Sequence, residues 1–144
     1  MSDYEGDILI WSEHQADLLR RMARGERVND QVDWENVAEE IEAAGRNERN
    51  AVESHLVQAL LHDLIAEAWP LSRDAPHWRA EAIGHRIEAR RAFSPSMAQR
   101  ISVAKLYRQS LRRMPETIDG NTPLPVPAEC SVTLSEPLAE PGEE

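Results

Sequence analysis

The 144-residue sequence contains one cysteine, Cys130, which excludes an internal disulfide and any multi-cysteine zinc or iron–sulfur site. Its six glycines are widely scattered, so no glycine loop is available to cradle a phosphate, and there is no Gly-x-Ser-x-Gly elbow. The longest apolar runs reach only about four residues, as in Ile8-Leu9-Ile10-Trp11, where a membrane helix needs roughly 20. No membrane is therefore expected as a partner. The N-terminus is acidic and lacks the basic-then-apolar profile of a secretory leader, which makes the cytoplasm the expected compartment. No segment alternates convincingly as a strand, and no internal repeat is present.

What is present is helical periodicity and segregated charge. Residues 1–71 carry a net charge of −10, residues 72–114 one of +7, and residues 115–144 one of −7. Acidic helices folding back against basic ones would neutralise such blocks internally. The alternative is a basic face over residues 72–114 offered to an anionic partner, although overall acidity repels nucleic acid at long range.

A first helix is expected from Tyr4 to Arg24, with Ile8, Trp11, Gln15, Leu18, Leu19 and Met22 on one stripe and Gly25 as its stop. A long second helix, capped by Asp33, runs to Trp69-Pro70. Trp34, Val37, Ala38, Ile41, Val52, Leu56, Leu60, Leu61 and Leu64 form its buried side, and Gly45 on that stripe either admits a close neighbour or loosens the helix. A third helix spans Pro76 to Phe93. A fourth opens at Ser94-Pro95-Ser96 and continues through Ile101, Tyr107 and Leu111 to Met114. Six of the nine prolines lie beyond Met114, so that segment reads as extended, with one short helical turn after Thr133 and a mobile end from Pro137. The fold class is thus an all-α bundle of the four-helix type, with residues 1–114 as the helical domain and 115–144 as a Pro-rich acidic segment partly packed upon it.

Several blocks, in order, resemble the small bacterial family called domain of unknown function 29. They are Tyr4-Glu5-x-Asp7 with Trp11, Gln15 and Leu18-Leu19-Arg20; Trp34-x-x-Val37 with Glu39-Glu40-Ile41-Glu42, Gly45-Arg46-x-Glu48 and Ser54; Leu60-Leu61-His62 with Leu64; Pro70 with Trp78, Arg86 and Ser94-Pro95-Ser96; and Pro125-x-Pro127 leading to Cys130 and Leu134. The resemblance spans most of residues 4–138 and implies a compact helical bundle of bacterial, cytoplasmic origin, without implying a reaction. Two departures stand out. The family's lysine after the Leu-Leu-His block is missing from Ile65-Ala66-Glu67-Ala68-Trp69-Pro70, and its Cys-Pro is Cys130-Ser131 here.

Chemistry, if any, would centre on the second helix. Ile41, Gly45, Glu48, Val52, His55, Ala59 and His62 recur at steps of four and three and share one face. A carboxylate buried there, Glu48, would need an arginine, with Arg86 and Arg90 as candidate donors. His55 and His62 are separated by about 10 Å of axial rise, so one ion could be held only with help from another helix. The third helix offers His77, Glu81 and His85 on one face. No metal or other cofactor is assigned, but His55, His62, Glu81 and His85 are the residues a metal would use. Arg49-Asn50-Ala51-Val52-Glu53-Ser54-His55 also resembles the motif of helical HEPN-type ribonucleases, in which a histidine would handle the 2′-hydroxyl proton and Arg49 the phosphate charge. Glu39 and Glu40 are expected to meet arginines of the third helix, and Glu42 to pair with Arg46. The four tryptophans are expected as core anchors, and Cys130 has no activating neighbour in sequence.

The expected function is a non-enzymatic protein-interaction or accessory module, with homodimerisation its simplest form. The competing reading is an RNA-cleaving or metal-binding bundle using Arg49, His55 and His62.

Overall fold

Residues 3–138 are described in the computed structural model of the chain. The expected first helix is broken into a single turn, α1 (Asp3–Gly6), and a longer α2 (Ile8–Ala23). Asp7 makes the break: its backbone leaves the helical region and its carboxylate accepts from the Ile10 N–H at 3.1 Å, satisfying a donor the new helix start would leave bare. Arg20 and Arg21 sit in the last turn of α2, where the helix dipole favours cations. Gly25 then takes a φ of +95°, which ends the helix.

A 3₁₀ turn at Asn29–Gln31 leads to α3 (Trp34–Ala68). Asp33 stands before it and accepts hydrogen bonds from the Asn36 amide side chain, the Trp11 indole and the Asn36 backbone. These donors hold its carboxyl below the usual range. α4 (Ala75–Ala92) follows with Pro76 in its first turn. The expected fourth helix is instead a 3₁₀ turn, Pro95–Gln99, and a separate α5 (Val103–Arg112). Ser102 divides them, extended in backbone and accepting from the Lys105 N–H at 3.3 Å. A final turn, α6 (Ser135–Leu138), lies where a short helix after Thr133 is expected. The fold is all-α with four long helices, α2 to α5, and among the described residues the only bridge is an isolated Ile118–Asn121 pair.

The chain gathers into two compact units that meet in sequence at Arg46–Asn47, inside α3. The first has a small core of Trp11, Leu18, Val28, Val32 and Val37, flanked by Tyr4, Leu19 and Met22. Polar bonds frame it. The Tyr4 hydroxyl donates to Glu40 at 2.8 Å, the Tyr4 ring meets Trp11 edge-on, and buried Gln15 accepts from the Asp33 N–H at 2.8 Å.

The second unit has the larger core. Val52, Leu56, Val57, Leu60 and Leu64 of α3 pack with Ala89, Met97, Ile101, Leu106 and Tyr107. The buried Ser110 hydroxyl lies 2.9 Å from the Leu106 carbonyl and 3.1 Å from that of Val57, so no donor is left bare where α5 meets α3. The Pro-rich segment completes this core: Val126, Val132, Leu134 and Leu138 pack on it, and the Tyr107 hydroxyl donates to the Pro127 carbonyl. Pro137, expected at the start of a mobile end, is buried, because its ring sits in α6 against the unit. The rest of that expected end, residues 139–144, lies outside the described residues.

Three positions expected on the buried side of α3 are exposed instead, Ala38 among them. Trp34 is 51% exposed, with its indole donating to the Asn29 carbonyl, and Ile41 is 68% exposed. From Ala38 to Ala51 no residue of α3 is buried. That stretch is rich in good helix formers and carries Glu39–Arg46 and Glu42–Arg46 pairs, of which the second, four residues apart, supports a solvated helix by about 0.3–0.5 kcal/mol. Among the described residues, nothing beyond the adjoining backbone of α3 lies within 4 Å of a Cβ built on Gly45, so no close neighbour is admitted there.

Candidate functional site

The second unit brings three histidines together. His55 and His62 are two turns apart on one side of α3, and α4 presents His85 to both. The Nδ1 atoms of His55 and His85 are 3.0 Å apart, with ring centroids at 5.3 Å. The His62 ring lies 28° from parallel to that of His85, with centroids at 5.7 Å. His62 donates its Nδ1–H to the Gln58 carbonyl at 2.7 Å, which fixes its tautomer and leaves the lone pair on Nε2. Partial burial, and after it the charges His55 and His62 would carry, hold His85 below its ordinary value. The carboxylates of Glu81 and Glu88 pull the other way.

Next to His62, Asp63 receives Arg86 from α4 at 2.6 Å. Desolvation between α3 and α4 pushes the Asp63 carboxyl above the usual range and the guanidinium pulls it down, on a side chain that is still 47% exposed. This pair corrects an expectation: Arg86 serves Asp63, not Glu48. Glu48 is exposed on the solvated stretch of α3 and is no buried carboxylate. Glu39 pairs with Arg46 on its own helix and Glu40 accepts from Tyr4, partners within the first unit in place of the expected arginines of the third helix.

Of the other candidates, Glu81 stands one turn before His85 on α4 and acts on it electrostatically, while Arg49 is not brought to the histidines. Arg49 pairs with Glu53 one turn along α3 at 3.6 Å. It stands six residues from His55, about 120° around the helix axis at 100° per residue. Glu81 lies 3.8 Å from His77, itself well exposed. Among the described residues, no group of three or more His, Cys, Asp or Glu is placed to hold a metal ion. Asp63 and its salt bridge were missed in the sequence. The available signal was an acid directly after Leu60-Leu61-His62, inside a helix whose neighbouring leucines are buried.

Clefts open in the same unit, two of them near 300 Å³. One, of about 300 Å³, is lined by Trp69, Leu71, Ile118, Asn121 and Leu124, with the Trp69 indole donating to the Asn121 carbonyl. The other, of about 280 Å³, is lined by Asp63, Glu67, Tyr107, Cys130 and Val132. Burial, with Cys130 and Glu67 adding to it, holds the Tyr107 hydroxyl above its ordinary value. Trp11 and Trp69 are buried anchors, Trp78 is half-buried, and Trp34 is not a core residue. No helix among the described residues is long and apolar enough to cross a membrane.

Comparison with known proteins gives two matches. The model of the family described as "Domain of unknown function DUF29" matches residues 4–141. A crystal structure of an alpha-helical protein of unknown function from Rhodospirillum rubrum is similar at 27% identity and a TM-score of 0.60, covering 97% of this chain and 91% of that one. No curated protein matches this chain.

Proposed function

The chain belongs to the DUF29 family, and on this helical scaffold we propose that it works as a non-enzymatic protein-interaction module, through apolar side chains of its first unit. One observation carries the reading. Among the described residues, five of the eight large hydrophobic side chains left exposed, Ile8, Leu9, Ile10, Trp34 and Ile41, fall within the first unit. Single exposed apolar residues are ordinary, but several together mark a contact surface. Here Ile10 and Trp34 adjoin the two residues, Trp11 and Asp33, that a 3.0 Å hydrogen bond joins. The starts of α2 and α3, which carry four of the five side chains, therefore lie side by side. Acids dominate the same segment, so the partner it fits has an apolar patch bordered by basic side chains. The same proposal sets the protein in a bacterial cytoplasm, in keeping with the bacterial relative and with a chain of one cysteine.

The test is isolation of the protein from its native host without nuclease treatment, beside the variants Leu9→Asp and Ile41→Asp. A stoichiometric protein partner, or a second copy of the chain seen by sedimentation, is expected for the wild type and lost in both variants. Their stability is expected to stay within about 0.5 kcal/mol of wild type, since both side chains are exposed. Recovery of the chain alone, of RNA in place of protein, or of the same partner with all three proteins overturns the reading.

A further inference from the structure

The histidine cluster has a chemistry that the proposed interaction surface does not use. Two Nδ1 atoms 3.0 Å apart cannot both carry a proton, so at least one of His55 and His85 turns a lone pair toward the other. With metal–nitrogen bonds of about 2.0–2.1 Å, two imidazole nitrogens on adjacent corners of a square or octahedral shell stand about 2.9 Å apart, and about 3.4 Å apart in a tetrahedral one. The observed separation lies between the two and nearer the first. Each nitrogen's lone pair would have to turn by roughly 45° from the line joining the two atoms to meet at a common ion.

We propose that His55 and His85 form a two-nitrogen chelate, bridging α3 and α4, for one divalent transition-metal ion of the copper, nickel and zinc class. Both neutral rings bind through Nδ1, and the ring that held its proton there moves it to Nε2 through solvent, so no net proton is released. Water fills the remaining positions, since both side chains are only partly buried. His62 is the adjoining ring, with its free Nε2 and its Nδ1 tied to a backbone carbonyl, the support that metal-binding histidines ordinarily have. Two protein ligands make an exchangeable site, in keeping with the absence of any group of three among the described residues. The charged groups around His85 are Glu81 and Glu88 of α4 and, when protonated, His55 and His62 of α3. The carboxylates favour a cation, and protons compete with it for the ring nitrogens.

The experiment uses the full chain, untagged and stripped with chelator, titrated calorimetrically with copper(II), nickel(II) or zinc(II) at pH 7.5. One ion per chain is expected, with copper tightest, as the order of divalent affinities requires. His55→Gln and His85→Gln are each expected to weaken binding at least tenfold, and so is a shift to pH 5.5. His77→Gln, on the same helix but well exposed, is expected to leave it unchanged. Should either variant fail to fold, electron paramagnetic resonance of the copper-loaded wild type still decides, through the hyperfine pattern of two nitrogen ligands. No saturable binding, binding that survives both variants, loss on changing His77, or a copper spectrum without nitrogen ligands overturns the proposal.

Discussion

The two stretches of α3 are one helix in backbone and two in energetics. From Val52 onward it places Val52, Leu56, Val57, Leu60 and Leu64 in a core that four further segments cover. Before that, from Ala38 to Ala51, no residue is buried, and Val37 closes the small core of the first unit. The helix face continues in register from Ile41 to Val52, but Gly45 and Glu48 interrupt its apolar stripe between them. Periodicity therefore gives a helix its potential inner face, while burial depends on what the rest of the chain brings to it. Where nothing is brought, alanine, glutamate and arginine carry the helix through water.

The sharpest way to break this contrast is to remove an anchor from each core. Trp11→Ala is expected to cost about 3–5 kcal/mol and Leu56→Ala about 2–5 kcal/mol. Hydrogen exchange would show the difference: the first should deprotect amides within residues 3–46, the second those of residues 52–111. Equal loss of protection throughout would mean that the two cores unfold as one.

A smaller change sharpens the reading of the solvated stretch. Among the described residues, Gly45→Ala meets nothing beyond the adjoining backbone of α3 within 4 Å and should stabilise the isolated chain by up to about 1 kcal/mol, read by urea unfolding. If the added methyl destabilised the protein at high concentration only, Gly45 would lie at a contact between copies.

The smallest effect is one of pH. His85 has a folded-state value below 6.5, so between that value and 6.5 the unfolded chain holds more protons. Stability is therefore full above about 6.5 and declines as the pH falls through the lower folded value. His85→Gln should flatten that slope in thermal melts between pH 5 and 7.5, with no such change for His77→Gln.

Much of the fold was legible because local chemistry marks it. Asp33 before Trp34, Trp69-Pro70, Pro76 and Gly25 all bound helices by mechanisms that act within a few residues. The breaks at Asp7 and Ser102 were not legible, since in each case an apolar period continues across a residue equally able to cap or to sit on a helix surface. The site was legible in part. His55, His62 and His85 could be named, because the spacing fixes a helix face. Glu48 could not be placed, and Asp63 went unseen, because which carboxylate meets Arg86 depends on how far α4 slides along α3.

The cover that the Pro-rich segment lays over the second core has a consequence for the order of events during synthesis. The first core needs only residues up to Val37. The second draws on Val52 and on Leu138 alike, with Val126, Val132 and Leu134 between. A ribosome therefore delivers everything the first unit requires long before the second can close. Until Leu138 has emerged, Leu56, Leu60 and Tyr107 lack part of their cover, and the nascent chain holds a finished acidic unit ahead of an open apolar one.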